Sequence, residues 1–198
     1  GWEGIVAARL DTEQLKPFEG KTIAEIAKIR GQDPVSTCFD MIYEEGVFIH
    51  GVHHTMSEED VKTVMRVPWV SIGSDGSALN LKFPGKPHPR SFGTNPRVLG
   101  KYTREEKVLA LEDAVRKMTS LPAQVLGLKD RGLLREGYWA DVVVFDPATI
   151  ADRATFENPH QYSVGVKHVF VNGVQVVNDG EHTGAKPGRA LWGPGKIR

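Results

Sequence analysis

Cysteine occurs once in the 198 residues, at Cys38, so no disulfide framework can staple this chain. A lone cysteine suits a reducing compartment, and a cytoplasmic location is the expectation. No apolar run approaches the roughly 18 residues that a bilayer crossing needs, and no secretory signal pattern is visible, so no membrane partner is expected. Neither sign of charge is in excess: 25 Lys and Arg stand against 25 Asp and Glu. With no basic stripe either, nucleic acid is not an expected partner. Internal repeats and low-complexity tracts are also missing. What remains is ordinary globular composition, 40% hydrophobic and 25% charged, in a length that suits one large domain or one and a half small ones.

The first part of the chain alternates strand-like and helix-like stretches. Residues 4–10, "GIVAARL", are short, apolar and strand-compatible. In 21–31 the residues Ile23, Ile26, Ala27 and either Ile29 or Arg30 fall at helical spacing, and Gly31 is a C-cap signal. A second helix starts with Asp33 as N-cap and Pro34 at the first helical position and stops at Gly46. Cys38 falls within it, among Phe39, Met41 and Ile42, which predicts a buried position. Residues 47–54 read as a strand, 57–68 as a helix opening on Ser57 with Asp60 three residues on, and 69–75, "WVSIGSD", as another strand. Strand, helix, strand, helix, strand is the order of a parallel α/β architecture.

A glycine-, proline- and arginine-rich loop is expected over 76–100, a length more often functional than disordered. The stretch 103–128 follows as an amphipathic helix with Val108, Leu111, Val115 and Met118 on one face, divided at Pro122. Beyond residue 130 the composition turns to short β-branched runs, with Asn172-Gly173 between apolar stretches as a hairpin signal.

Candidate chemistry concentrates at Asp75. In barrels of alternating strands and helices, active sites lie at the C-terminal ends of strands, and Asp75 directly follows such a predicted strand. A carboxylate there can ligate a metal or shuttle a proton for a metal-bound water. Ser-Asp-Gly is equally turn chemistry, and both readings stand. In the loop, Arg90 offers a fork for a substrate carboxylate and His88 a polarising or ligating group, while surface roles remain open for both. His53 and His54 end a predicted strand, so at most one should face a site. His50, His160, His168 and His182 read as scattered surface or β-module residues.

Four ordered segments carry a resemblance: "MSEEDVKTVMRVPWVSIGSDG", "HPRSFGTNPRVLGKY", "LEDAVRKMTSLPAQVLGL" and "DRGLLREGYWADVVVFDP", continued by "VKHVFVNGVQVVNDGEHTGAKPGRALWG". Together they resemble the N-acyl-D-amino-acid deacylases (D-aminoacylases) of the amidohydrolase superfamily. The resemblance implies the C-terminal part of a metal-dependent (β/α)8 barrel, entered around its sixth strand, plus a small β-sandwich module. Residues 1–128 would supply the last barrel strands and helices with the long active-site loop 76–100, and residues 129–198 the β-module.

It also implies zinc in the parent enzyme, an N-acyl-D-amino acid as substrate, Asp75 as catalytic acid/base beside the metal, and Arg90 with His88 as substrate contacts. The family's paired His-X-His is absent, and the surroundings of Cys38 do not match its metal cysteine. The expectation is therefore a chain lacking most metal ligands, inactive by itself, and either oligomeric or completed by a missing N-terminal half. Two other readings are a cyclic-amide hydrolase of the dihydroorotase or hydantoinase kind and a non-catalytic folding or assembly fragment. A glycosidase barrel would need a second carboxylate facing Asp75, and Glu44, Glu45, Glu58 and Glu59 sit on predicted helical segments instead.

Overall fold

The computed structural model describes residues 1–46 and 49–192. The chain divides into two compact units, one of residues 1–57, 75–92 and 154–162, the other of 58–74, 93–153 and 163–198. No helix among the described residues is long and apolar enough to cross a membrane.

The first unit begins with β1 (Ile5–Arg9) and continues through α1 (Ile23–Arg30) and α2 (Pro34–Glu45) to β2 (His50–His53). Local chemistry accounts for both helices. Thr22 and Glu25 close a reciprocal capping box on α1, and Gly31 ends it in the left-handed region. Asp33 accepts from the amides of Val35 and Ser36, Pro34 takes the first helical position, and Gly46 ends α2. Leu10, Leu15, Ile26 and Met41 are fully buried at the centre of this unit, each contributing roughly 1.5–3 kcal/mol by leaving water. The choice between Ile29 and Arg30 resolves in favour of the arginine. Ile29 is exposed, whereas Arg30 lies over the Phe18 ring and forks onto Glu44 at 2.9 and 2.7 Å. Cys38 is only partly buried, because Phe39 and Ile42 turn outward while Met41 turns in.

Strand β2 runs antiparallel to β1, with Ile5 opposite His53 and Val6 opposite Val52, which corrects the expectation of a parallel pair. One crossover helix returns the chain to its starting end and gives parallel strands. Here two helices intervene, so the chain leaves α2 at the end where β1 finished. The start of the predicted strand 47–54, Val47 and Phe48, lies outside the described residues.

In the second unit α3 (Glu58–Arg66) is followed by irregular chain, so the expected strand 69–75 does not form. No strand partner stands beside it among the described residues. The expected loop 76–100 is also shorter than predicted, because residues 90–105 are helical: α4 (Arg90–Arg97) runs into a π-helical stretch, Val98–Glu105. Pro96 explains the change of winding. It lacks an amide proton and crowds the carbonyl four residues back, so the regular bonding cannot continue unchanged. The helix predicted over 103–128 is realised as α5 (Leu111–Met118) and α6 (Ser120–Val125), broken at Thr119. That break directly follows Met118, whose carbonyl, four residues before Pro122, the proline ring would crowd in a continuous α-helix. Val108, Leu111, Val115 and Met118 do share one side and pack on the buried cluster of Met65, Val98, Leu99, Tyr102, Ala114 and Ile150.

A four-stranded antiparallel sheet completes this unit in the order β3 (Val142–Phe145), β4 (Val166–Val171), β5 (Val174–Asn178) and β6 (Glu181–His182). Asn172 and Gly173, at φ 50° and 79°, form the predicted two-residue turn between β4 and β5. Asp179 and Gly180 make a second turn of the same kind. Trp139 anchors the chain that follows the sheet: its indole N–H donates to Asp130 at 3.0 Å, and the Arg189 guanidinium lies 4.2 Å from its ring centre.

Replacing Thr22 by alanine removes the cap on the Glu25 amide. The expected cost is about 1 kcal/mol, read as a lower urea midpoint for the helical circular-dichroism signal.

Candidate functional site

The three residues singled out in the sequence come together in the first unit. Asp75 adopts a left-handed backbone, φ 47°, which aspartate tolerates better than most side chains. Its Oδ2 lies 3.0 Å from a terminal nitrogen of Arg90. The next residue explains how they meet. A Cβ on Gly76 would come within 2.9 Å of the Ser91 Cα, 3.0 Å of the Arg90 carbonyl oxygen and 3.1 Å of the Ser91 nitrogen. Only glycine lets the two backbones approach so closely. The Ser77 amide then donates to the Ser91 hydroxyl at 3.2 Å. The glycine thus serves a close approach of the chain to itself.

His88 completes the group. Its Nδ1 accepts from the Arg90 amide at 3.0 Å, which leaves the other ring nitrogen to carry the proton of a neutral imidazole. Burial is the largest cause holding its pKa below the ordinary value, followed by the positive charge of Arg90 and the neighbouring His54, with Asp75 acting in the opposite sense. Phe156 stands edge-on to the His88 ring, centres 4.9 Å apart, and also edge-on to His54 at 4.4 Å. Nothing local to 154–162 announces this contact, since Phe156 is 68 positions from His88. His160 was read as a scattered residue, yet its Nε2 lies 2.8 Å from the Phe83 carbonyl and so ties down the loop before His88.

His53 and His54 both line a cavity of about 300 Å³ with Trp2, Ile5 and Thr55. The expectation that at most one would face a site used strand alternation, and His54 lies just past the end of β2, where alternation no longer applies. Among the described residues no group of three or more His, Cys, Asp or Glu side chains is arranged to hold a metal ion. The donors present do not fit a metal as a set. Asp75, whose side chain is 85% exposed, is instead a hydrated carboxylate held by a guanidinium beside a neutral imidazole. Such a group can accept and return a proton, and the guanidinium fork matches a carboxylate.

Comparison with known proteins gives a family and several relatives. A model described as the amidohydrolase family matches residues 1–177. The D-aminoacylase of Alcaligenes xylosoxydans xylosoxydans is 41% identical over 190 residues, 94% of this chain and 37% of the relative. The N-acyl-D-aspartate deacylase of the same organism is 48% identical over 141 residues, 71% of this chain and 27% of the relative. Among solved structures, the N-acyl-D-glutamate deacylase of Bordetella bronchiseptica, complexed with zinc and a phosphonate inhibitor that mimics the tetrahedral intermediate, superimposes with a TM-score of 0.77. It is 40% identical and covers 88% of this chain and 34% of its own. The chain spans about a third of the length of the curated relatives it matches.

The site makes two predictions. Because the folded-state pKa of His88 is lowered from 6.5, the unfolded chain binds more protons just below that value. Stability from this group is complete above about 6.5 and is lost as the pH falls through the lowered folded pKa. The unfolding midpoint should drop as the pH falls below about 6.5, and His88→Asn, which keeps an acceptor for the Arg90 amide, should flatten that drop. Gly76→Ala meets the backbone of Arg90 and Ser91 and is expected to cost roughly 1–3 kcal/mol. Gly73→Ala, whose Cβ meets nothing within 4 Å, should be stabilising by about 0.4–1 kcal/mol. Paired urea titrations check the contrast.

Proposed function

The chain belongs to the amidohydrolase family, and we propose on that premise that the whole enzyme hydrolyses the amide bond of N-acyl-D-amino acids. Water adds to the amide carbon, Asp75 takes a proton from that water, and the same carboxyl returns it to the amide nitrogen. The C–N bond breaks, leaving a carboxylate and a free D-amino acid. Proton transfer of this kind contributes about 10²–10⁴-fold to a rate. Arg90 receives the α-carboxylate of the substrate through its guanidinium fork, and His88, neutral and bonded to the Arg90 amide, sets the position of that arginine.

The single observation that supports this reading is the Asp75–Arg90 pair at 3.0 Å, which brings a proton acceptor beside a carboxylate receptor. N-acyl-D-amino acids present a scissile amide next to a carboxylate, and so match both groups. The relatives named as deacylases of D-aspartate and D-glutamate differ in the side chain accepted rather than in the bond cleaved.

The finer architecture belongs to the same proposal. Residues 1–128 contribute strands, helices and the site loop to a (β/α)8 barrel, and residues 129–198 to a small β-sandwich module. A zinc ion bound in the whole enzyme would supply polarisation of the carbonyl. None of the proton steps given to Asp75 requires these residues to ligate it. A cytoplasmic setting suits the single unpaired cysteine.

Hydrolysis of N-acetyl-D-methionine and of its L-isomer, with zinc added, tests the proposal. The expected result is D-selective turnover that falls roughly 10²-fold or more in Asp75→Ala. Turnover untouched by that substitution, or no preference for the D-isomer, would overturn it.

A further inference from the structure

Residues 154–162 belong to the first unit, together with the site loop 75–92. Short-range bonds give this segment its own shape. The Thr155 amide donates to the Asn158 carbonyl at 3.1 Å, and the Asn158 amide donates back to the Thr155 hydroxyl at 3.0 Å. The Gln161 side chain donates to the same Asn158 carbonyl at 2.9 Å. Ala154 and Pro159, on either side of the turn, are buried, so the bend carries Phe156 on an anchored piece of chain.

The segment meets the site loop at three places. His160 Nε2 lies 2.8 Å from the Phe83 carbonyl; a carbonyl only accepts, so this nitrogen carries the proton. The Phe92 ring centre lies 6.0 Å from that of His160 and 6.3 Å from that of Tyr162. Between these two contacts, Phe156 stands edge-on to His88 at 4.9 Å. Core packing does not account for Phe156, which is 42% exposed and sets its ring edge-on to two imidazoles, those of His88 and His54. An edge-on ring favours one orientation of its neighbour. Orientation matters at His88, because turning the imidazole over would present a carbon, in place of Nδ1, to the Arg90 amide.

We infer that Phe156, seconded by His160, is a positioning residue for Arg90. Phe156 holds the His88 ring in the orientation that bonds the Arg90 amide, and His160 fixes the loop at Phe83, where it leads into His88. Together they set the backbone from which the guanidinium reaches Asp75. The use of that placement for a substrate carboxylate rests on the reading of Arg90 as its receptor.

Three variants of the 198-residue chain test it: Phe156→Ala, Phe156→Tyr and His160→Phe. Two NMR signals are followed, exchange of the Arg90 amide with water and the order parameter of the Arg90 Nε–H bond. The Ile26 amide of α1, bonded to the Thr22 carbonyl at 3.0 Å in the same unit, is the reference. In Phe156→Ala the Arg90 amide is expected to exchange about threefold to tenfold faster, with a lower order parameter and Ile26 unchanged. Phe156→Tyr keeps the ring and should match the parent. His160→Phe keeps a ring beside Phe92 but loses the donor, and should move both Arg90 signals in the same direction as Phe156→Ala. A variant that merely loosened the fold would accelerate Ile26 equally. That outcome, or Arg90 signals unchanged in Phe156→Ala, overturns the inference. Neither readout needs turnover, so its failure and a failure of the deacylase assay are told apart.

Discussion

The backbone of Gly76 lies against that of residues 90 and 91, and the candidate site depends on that contact. Asp75 and Arg90 are both partly or largely in water, where an ion pair contributes only about 0–1 kcal/mol. Such a pair cannot by itself bring two loop segments together. The glycine permits the meeting, because a Cβ on residue 76 would fall 2.9–3.1 Å from the main chain of Arg90 and Ser91, and the Ser77–Ser91 hydrogen bond fixes the register. The charge pair is a consequence of this packing. It orients two groups that are already neighbours.

A second constraint acts through His88. Its Nδ1 is committed to the Arg90 amide, so the ring favours the neutral state that the partly buried position also favours. Phe156 stands edge-on to this imidazole and to that of His54. The result is an asymmetric environment: a hydrated carboxylate on one side of Arg90 and a partly desolvated, uncharged ring on the other.

Helices α1 and α2 were readable because their determinants lie within a few residues, whereas the helical stretch 90–105 was expected as loop. Thr22 and Glu25, Asp33 and Pro34, Gly31 and Gly46 each act on backbone groups one turn away or nearer. The Asn172-Gly173 turn is legible for the same reason. Pro122 announced a break but not its place, because the proline acts on the carbonyl of an earlier residue. Strand direction was not readable in this way. The pattern of 4–10 and 47–54 is the same for a parallel or an antiparallel pair, and only the pairing itself shows which forms.

The sequence by itself determined the caps, the tight turns, the apolar faces and the identity of the residues with chemistry to offer, Asp75, His88 and Arg90. Tertiary structure alone decided that these three meet and that Phe156 stands edge-on to His88. The physical reason is separation along the chain. A cap competes only with water at its own helix end, whereas a contact between residues tens of positions apart forms only when the packing of whole segments offsets the entropy of closing the loop between them.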